Sequence, residues 1–323
     1  MRISIALVTY NGEKYINKQL ESIFEQNIRP DELIIVDDCS NDKTVEFIKY
    51  FKSIAPFEVK LFQNTKNIGV SKNFGKAISL CTGDLIFLCD QDDFWYKNKI
   101  EFVYDFYKNN PTTLLIINDG LLTDGNLNPT NLTQGQQILN TGSNINQLIN
   151  GCFSAINKKL VPLILPIDFN YPLYDNFIHR LSSLLDGKVY LNIPLQYYRR
   201  HDSNTSSNFA SSLKKISKWD AKKLFFQVNT HDYLNNELLV LNRINKRLTD
   251  FNFNIFDNIF KNQIELALIK IKHEQYIIRY RLKIITNKNY IIRSYLAFSF
   301  YLNGGYKLFS GFNSCIKDII KKV

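Results

Sequence analysis

Three carboxylates stand within four positions at Asp90-Gln91-Asp92-Asp93, directly after the apolar run Leu85 to Cys89. That run reads as a buried strand, and open α/β sheets take their ligands at the carboxyl ends of their strands. Concentrated carboxylate charge is costly unless water or a cation neutralises it. Oxygen-only ligands suit Mg²⁺ or Mn²⁺, held by one or two carboxylates and completed by diphosphate oxygens. Asp90 and Asp92 have strand spacing, so they reach one cation only if the chain turns at Gln91. A solvated acidic turn is the local alternative, and the position at a strand end is what argues against it. A second acidic pair, Asp37-Asp38, follows the run Leu33 to Val36, where a β-turn with an Asp capping the next helix is an equally local reading. Asn67-Ile68-Gly69, followed by Lys72 and Asn73, puts a flexible backbone point before a helix whose amides can approach a phosphate, with Lys72 as counter-charge. Tyr174-Asp175 opens a further helix. Tyr198-Arg199-Arg200-His201 joins an imidazole to guanidinium groups whose planar forks match phosphate oxygens.

Two other chemistries lack their signatures. No G-x-S-x-G elbow supports a serine hydrolase and no G-x-x-x-x-G-K-[ST] loop supports a Walker-type NTPase. Five cysteines, Cys39, Cys81, Cys89, Cys152 and Cys315, are scattered without a C-x-x-C pair, so neither a disulfide framework nor a zinc site is indicated.

The elements that must position these residues follow a β-α-β rhythm from residue 1 to about 120, the pattern of a parallel sheet. Ile3 to Thr9 reads as the first strand, and Tyr15, Leu20, Ile23 and Phe24 share a helical face after it. Pro30-Asp31 turns the chain into Leu33 to Val36. Asp42 is placed as the N-cap of a helix carrying Val45, Phe47, Ile48 and Phe51, and Val59 to Phe62 is the third strand. A helix from about Ser71 to Leu80 leads through Thr82-Gly83 into Leu85 to Cys89. Residues 111 to 200 are less regular. A strand at Leu114 to Asn118, a turn-rich stretch around Gly120 to Gly135, a helix from about Asp175 to Leu185 and a strand at Val189 to Leu191 suggest a mixed half that completes the first. Beyond Asn204 the pattern turns helical over Leu213 to Arg247, Phe256 to Ile285 and Tyr290 to Lys322, with breaks near Asn252 to Asn254 and at Asn287.

In this order and spacing, Leu7-Val8-Thr9-Tyr10-Asn11, Ile35-Val36-Asp37-Asp38-Cys39-Ser40-Asn41-Asp42, Asn67-Ile68-Gly69 and Asp90-Gln91-Asp92-Asp93-Phe94-Trp95 are specific together. The chain resembles a family 2 glycosyltransferase of the GT-A fold across residues 1 to about 204. The resemblance implies a Rossmann-like mixed sheet flanked by helices, with a nucleotide-binding half at about 1–110 and an acceptor half at about 111–204. A basic helical region, 205–323, follows as an appendage.

By resemblance, Thr9, Tyr10, Asn11 and Glu13 line the nucleotide pocket and Asp38 accepts an N–H of a pyrimidine base. Asn67, Gly69, Lys72, Asn73, Asp90 and Gln91 complete the donor site, and Arg199 stabilises the leaving group. Asp92, Asp93 and His201 are the implied metal ligands, and Asp175 the base that takes the acceptor hydroxyl proton. Relatives often carry Glu-Asp or His-Asp at this last motif, so Tyr174 departs from the pattern. Trp95, Gly151 and Cys152 are implied on the acceptor side, with core packing an equal account of Trp95. The implied reaction is a single displacement with inversion. The Asp-Gln-Asp-Asp-x-Trp form and the Tyr-Arg-x-His motif are most similar to the rhamnosyltransferase-like branch, which implies dTDP-rhamnose or a UDP-hexose as donor. The implied acceptor is a lipid-linked oligosaccharide of an O-antigen or capsule.

Charge is unevenly distributed along the chain. Of the total of +10, residues 205–323 carry +12, from 20 Lys and Arg against 8 Asp and Glu, so residues 1–204 carry −2. With Ile, Leu, Phe and Tyr interleaved, the basic region suits an anionic membrane surface, and a solvated helical surface or a homodimer contact is the alternative. No RNA-binding motif accompanies it, so no nucleic-acid partner is expected. Apolar runs are short of the roughly 20 residues of a membrane span, and no secretion signal precedes Ile3. A cytoplasmic protein, peripheral on the inner membrane face, is the expectation. Two rival functions remain. A sugar nucleotidyltransferase expects a glycine-rich basic loop after the first strand, where Asn11-Gly12-Glu13 stands; a non-catalytic membrane-associated scaffold expects no base at Asp175.

Overall fold

A computed structural model describes residues 1–170, 173–202, 204, 209–252 and 257–320. The chain forms two compact units, 1–220 and 221–323. In the first, β1 (Ile3–Thr9), β2 (Glu32–Asp37), β3 (Glu58–Gln63) and β4 (Leu85–Cys89) alternate with α1 (Ile16–Phe24), α2 (Thr44–Ile54) and α3 (Val70–Leu80). β1, β2 and β4 are buried at every position, as strands covered on both faces must be. Then come β5 (Phe94–Trp95), α4 (Lys99–Asn109), β6 (Leu115–Thr123), β7 (Pro129–Thr133), α5 (Gln134–Asn140), β8 (Ser154–Asn157), α6 (Val161–Ile164), α7 (Tyr174–Leu184) and β9 (Lys188–Arg199).

Among the described residues these strands make one mixed sheet in the order β3-β2-β1-β4-β8-β6-β9-β5, with β7 on β6. β1 is parallel to both β2 and β4, while β8 runs antiparallel to β4 and to β6. The strand order reverses between β1 and β4, the point at which an open sheet leaves a crevice beyond its strand ends. Register brings the functional segments there, since Thr9 lies beside Asp37 and Leu7 beside Cys89. The core under the crevice is apolar, with Ile5, Leu7, Leu33, Ile35, Phe87 and Trp95 among its members.

Two stretches differ from the pattern reading. The expected turn-rich stretch from Gly120 to Gly135 contains the end of β6, all of β7 and the start of α5, which Thr133 caps through a reciprocal bond with Gln136. β9 is also far longer than Val189 to Leu191. Pro194 lacks a ladder donor and reads as a stop, but it sits opposite Asp119 where the β6–β9 register shifts, and the strand resumes beyond it. That continuation carries Gln196 and Arg199 back to the crevice. Asp42 precedes α2 as expected. Its Oδ1 accepts the Thr44 N–H at 3.0 Å, although Lys43 is the residue at the cap position.

The second unit holds most of α8 (Lys218–Gln227), then α9 (Thr230–Asp250), α10 (Asn258–Ile285), α11 (Tyr290–Leu302) and α12 (Phe312–Ile320). The first expected helix breaks at Asn229, whose side chain accepts the His231 and Asp232 N–H groups. The last breaks at Gly304-Gly305, where Gly304 has φ +77°. The break at Asn287 stands between α10 and α11, and that near Asn252 to Asn254 lies partly outside the described residues. No described helix is long and apolar enough to cross a membrane.

Candidate active site

The floor of the crevice is a lattice of side-chain to backbone bonds between the loops after β1, β2 and β4. Thr9 Oγ1 donates to Asp37 Oδ1 at 2.8 Å, and Asp37 also takes the Ser40 N–H at 2.9 Å. Asn11 Oδ1 accepts the Asn41 N–H, and Glu13 exchanges bonds with the α2 start, giving its N–H to Asp42 and taking that of Lys43. Gln91 spends both ends of its amide on the Tyr10 backbone, at 2.9 and 3.0 Å. Thr9, Asn11, Glu13 and Gln91, expected to line the donor site, thus shape the rim of the crevice by tying its loops together. The Tyr10 ring stays exposed.

Asp38 is buried and accepts the Ile68 N–H and Asn64 Nδ2 on Oδ1 and the Gly69 N–H on Oδ2. An ionised carboxylate oxygen takes about two donors, so Oδ2 retains capacity for one more. Asn67 Oδ1 also accepts the Gly69 N–H. Gly69 has φ +88°, and a Cβ there would lie 2.7 Å from Asn170 Oδ1, which explains the residue type twice over. Lys72 sits half-buried on the first turn of α3. Asn73 is 2% exposed and ties Asn64 to the Val36 carbonyl, so it braces Asp38 from behind.

At the acidic end the three carboxylates separate. Asp92 Oδ2 meets His201 Nε2 at 2.9 Å and Asn204 Nδ2 at 3.1 Å. Asp93 turns inward, 1% exposed, where Gln196 Nε2 donates to it at 2.7 Å and the Arg199 N–H at 3.3 Å. Burial, then the Asp92 charge, pushes the Asp93 carboxyl up to about 7. Asp93, expected as a metal ligand beside Asp92, thus turns its carboxylate to Gln196 and the Arg199 amide, while Asp92 meets His201. The Asp90 carboxyl lies well above the ordinary range because of burial and then the charges of Asp92, Asp93 and Asp175. Among the described residues no three His, Cys, Asp or Glu side chains are arranged to hold a metal ion. The Asp92–His201 pair supplies two.

Arg199 lies 5% exposed over the Tyr15 ring, 4.7 Å from its centroid, and gives Nη1 to the Gly125 carbonyl at 3.1 Å. Its Nε and Nη2 are buried without a hydrogen-bond partner. Buried donors of this kind are costly, and a guanidinium with two of them suits an oxyanion. The same Tyr15 ring stacks on His201 at 4.4 Å, which fixes both groups on one platform.

Asp175 opens α7, half-buried, and accepts its neighbour's N–H, Asn176, at 2.7 Å. Burial holds its carboxyl above the ordinary value, against the backbone bonds from Asn176, its own residue and Gly151 that lower it. Gly151 touches the Tyr174 hydroxyl so closely that a Cβ would lie 1.8 Å from it, and Tyr174 stacks on Phe74. Cys152 is buried with its thiol on Asn150 Oδ1, so it gives no side chain to an acceptor. Trp95 is 1% exposed between Phe87 and the Lys99 ammonium, which lies 4.1 Å from its ring centroid, so no open ring face is left for a sugar. Of the acceptor-side expectations, packing explains Trp95 and Cys152.

Sequence reasoning missed Tyr15, Lys99, Gln196 and Asn204. Lys99 is buried, bonds Gln196 Oε1 and the Cys152 carbonyl, and is pulled down to about 8 by desolvation. Gln196 links it to Asp93, a chain of contacts between residues 103 positions apart. No local pattern announces such a link; only the oddity of a lysine at a helix start beside Trp95 hinted at it.

Residues 4–160 match glycosyl transferase family 2. Over 226 residues the chain is 26% identical to the UDP-Glc:alpha-D-GlcNAc-diphosphoundecaprenol beta-1,3-glucosyltransferase WfgD of Escherichia coli, covering 68% of this chain and 84% of the relative. Over 103 residues it is 37% identical to the dTDP-rhamnosyl transferase RfbG of Shigella flexneri, covering 31% and 36%. Residues 1–349 of Staphylococcus aureus TarS, solved in complex with UDP, share the fold with a TM-score of 0.56 at 16% identity, over 99% of this chain and 89% of that one.

Proposed function

We propose, from the match of residues 4–160 to glycosyl transferase family 2, that the chain transfers a sugar, with inversion, from a pyrimidine nucleoside diphosphate to a hydroxyl of a lipid-linked oligosaccharide. The observation that carries this reading is the Arg199 guanidinium, buried with two unpartnered nitrogens on the same tyrosine as His201, which in turn meets Asp92. That grouping suits a diphosphate and, between Asp92 and His201, a Mn²⁺ or Mg²⁺ ion, to which diphosphate oxygens add the remaining ligands. Such an ion would supply charge neutralisation of the leaving group.

The chain's own residues account for the rest. Asp38 takes the N–H of a uracil or thymine ring on its Oδ2, while the braced loop at Ile68 and Gly69 keeps that oxygen fixed. The acceptor hydroxyl gives its proton to Asp175 as its oxygen bonds the anomeric carbon, and the bond to the diphosphate oxygen breaks with its electron pair leaving on that oxygen. Arg199 stabilises the charge that develops there. Gly151 holds the base through its N–H.

UDP-hexose and dTDP-rhamnose both present the imide N–H that Asp38 would read. The Escherichia coli relative supports the first and a lipid-diphosphate acceptor, and the shorter Shigella match supports the second. Residues 1–110 would then bind the nucleotide and 111–204 frame the acceptor. The deciding experiment is a thermal-shift series with Mn²⁺ and UDP, dTDP, GDP or CDP, with and without chelator. Metal-dependent stabilisation by UDP or dTDP, lost in Asp38→Ala, supports the donor site and selects its base. No stabilisation by any nucleotide removes it.

A further inference from the structure

The outward face of α11 is apolar without interruption. Its exposed residues are Tyr290, Ile291, Ile292, Tyr295, Phe298 and Leu302, and none carries a charge. Ile291, Tyr295, Phe298 and Leu302 recur at helical spacing and are 78%, 72%, 50% and 69% exposed. The helix's single charged residue, Arg293, is buried, its guanidinium 5.6 Å from the Tyr290 ring centroid. The opposite face is already used, since Ala297 and Phe300 pack with Ile277, Ile284 and Tyr306 in the core of this unit. A helix placed only to complete that core would carry polar residues outward.

Charge around the stripe has one sign. Residues 275–317 contain seven Lys and Arg and no Asp or Glu. Exposed Lys283 and Lys288 precede α11, and exposed Lys307 and Leu308 follow it. We propose that α11 lies in the plane of an anionic lipid bilayer, its Ile291-Tyr295-Phe298-Leu302 stripe among the acyl-chain ends and Lys283, Lys288 and Lys307 at the headgroups. Thirteen residues make a helix of about 20 Å, too short to span the roughly 30 Å hydrocarbon layer but well suited to lying along its boundary. A second copy of the chain is the poorer occupant, because a two-fold contact would set this acid-free surface against itself. Nucleic acid would use the lysines and leave the aliphatic stripe in water. The inference is independent of the sugar-site reading.

The test is flotation of the full chain with phosphatidylglycerol-rich vesicles and with pure phosphatidylcholine vesicles, beside sedimentation velocity without lipid. The expected result is a lipid-free monomer that floats with the anionic vesicles and binds neutral ones at least about tenfold more weakly. Ile291→Ser/Tyr295→Ser/Phe298→Ser/Leu302→Ser should lose flotation, with an unchanged melting temperature showing that it folds. Lys283→Gln/Lys288→Gln/Lys307→Gln should lose the preference for anionic lipid even if the first variant is poorly folded. Equal flotation of these variants overturns the proposal. So does a lipid-free dimer that the stripe variant dissociates, or tight binding of homopolymer RNA without flotation. Nucleotide thermal shifts on the same samples report the sugar site separately.

Discussion

The two units bury charge in opposite ways. In the C-terminal unit, Arg281 meets Asp318 through two bonds of 2.8 Å, and the Tyr306 hydroxyl adds a third at 2.9 Å. The guanidinium also stacks 4.1 Å from the Phe309 ring centroid, and all three polar residues are essentially sealed from water. The charges of this trio are answered by one another. In the N-terminal unit, Asp90, Asp92, Asp93 and Asp175 lie close together, burial and then neighbouring carboxylate charge push up the Asp90 and Asp93 carboxyls, and Arg199 keeps two buried nitrogens without a partner. Leaving charges unsatisfied costs stability, and the fold tolerates this where a ligand completes them. Satisfaction, more than burial, separates a structural ion pair from a site.

This contrast can be broken from either side. The largest expected effect is Asp175→Asn, which should lower sugar transfer about 10²- to 10⁴-fold while leaving the thermal shift with UDP or dTDP unchanged. Near-normal transfer would end the assignment of Asp175 as base. Asp318→Asn should cost about 3–5 kcal/mol in urea unfolding, because Arg281 loses its buried counter-charge, yet the nucleotide shift should persist. A stable Asp318→Asn protein would make the pair dispensable. Arg199→Met should weaken nucleoside diphosphate binding by about 1.5–3 kcal/mol, read by calorimetry, with little loss of fold. A large loss of stability there would make Arg199 a structural residue like Arg281.

The smallest effect is in pH. Asp175 must be ionised to accept a proton, and burial raises its pKa, so transfer should fall with acid through a pH above the ordinary aspartate value. Linkage gives the matching stability sign. A raised carboxyl pKa favours the folded state below the unfolded pKa, and that contribution is lost as pH rises through the folded value, so Asp175→Asn should be slightly more stable near neutrality. An acid limb at the value of a solvent-exposed aspartate would contradict the buried setting.

Local patterns made the parallel half of the sheet legible. β2 and β4 are short apolar runs with polar ends and β1 nearly so, all buried throughout, while β3 is a partly exposed edge strand whose Val59 to Phe62 still alternates with charge. The order of the motifs pointed to the family that residues 4–160 match, and Asp92, His201, Arg199 and Asp175 were all visible as residue types. β9 was not legible past Pro194, because proline reads as a strand end unless an edge or a bulge admits it, and the register shift that admits this one lies in the pairing with β6. Trp95, for which core packing and an acceptor-side role were equal accounts, is buried like Cys152, and an aromatic beside an acidic motif reads the same in a core as in a cleft.

By itself the sequence determined the β-α-β order, the sign of charge in each half and the chemical groups available. Those depend on neighbours a few residues apart, where periodicity and turn chemistry act. Tertiary structure alone decided which carboxylate faces out. Asp92 meets His201 and Asn204 across more than a hundred residues, while its neighbour Asp93 is captured by Gln196 and the Arg199 amide. Adjacent residues at a strand end point in opposed directions, and which one reaches the crevice is set by what the returning strand β9 brings to meet it.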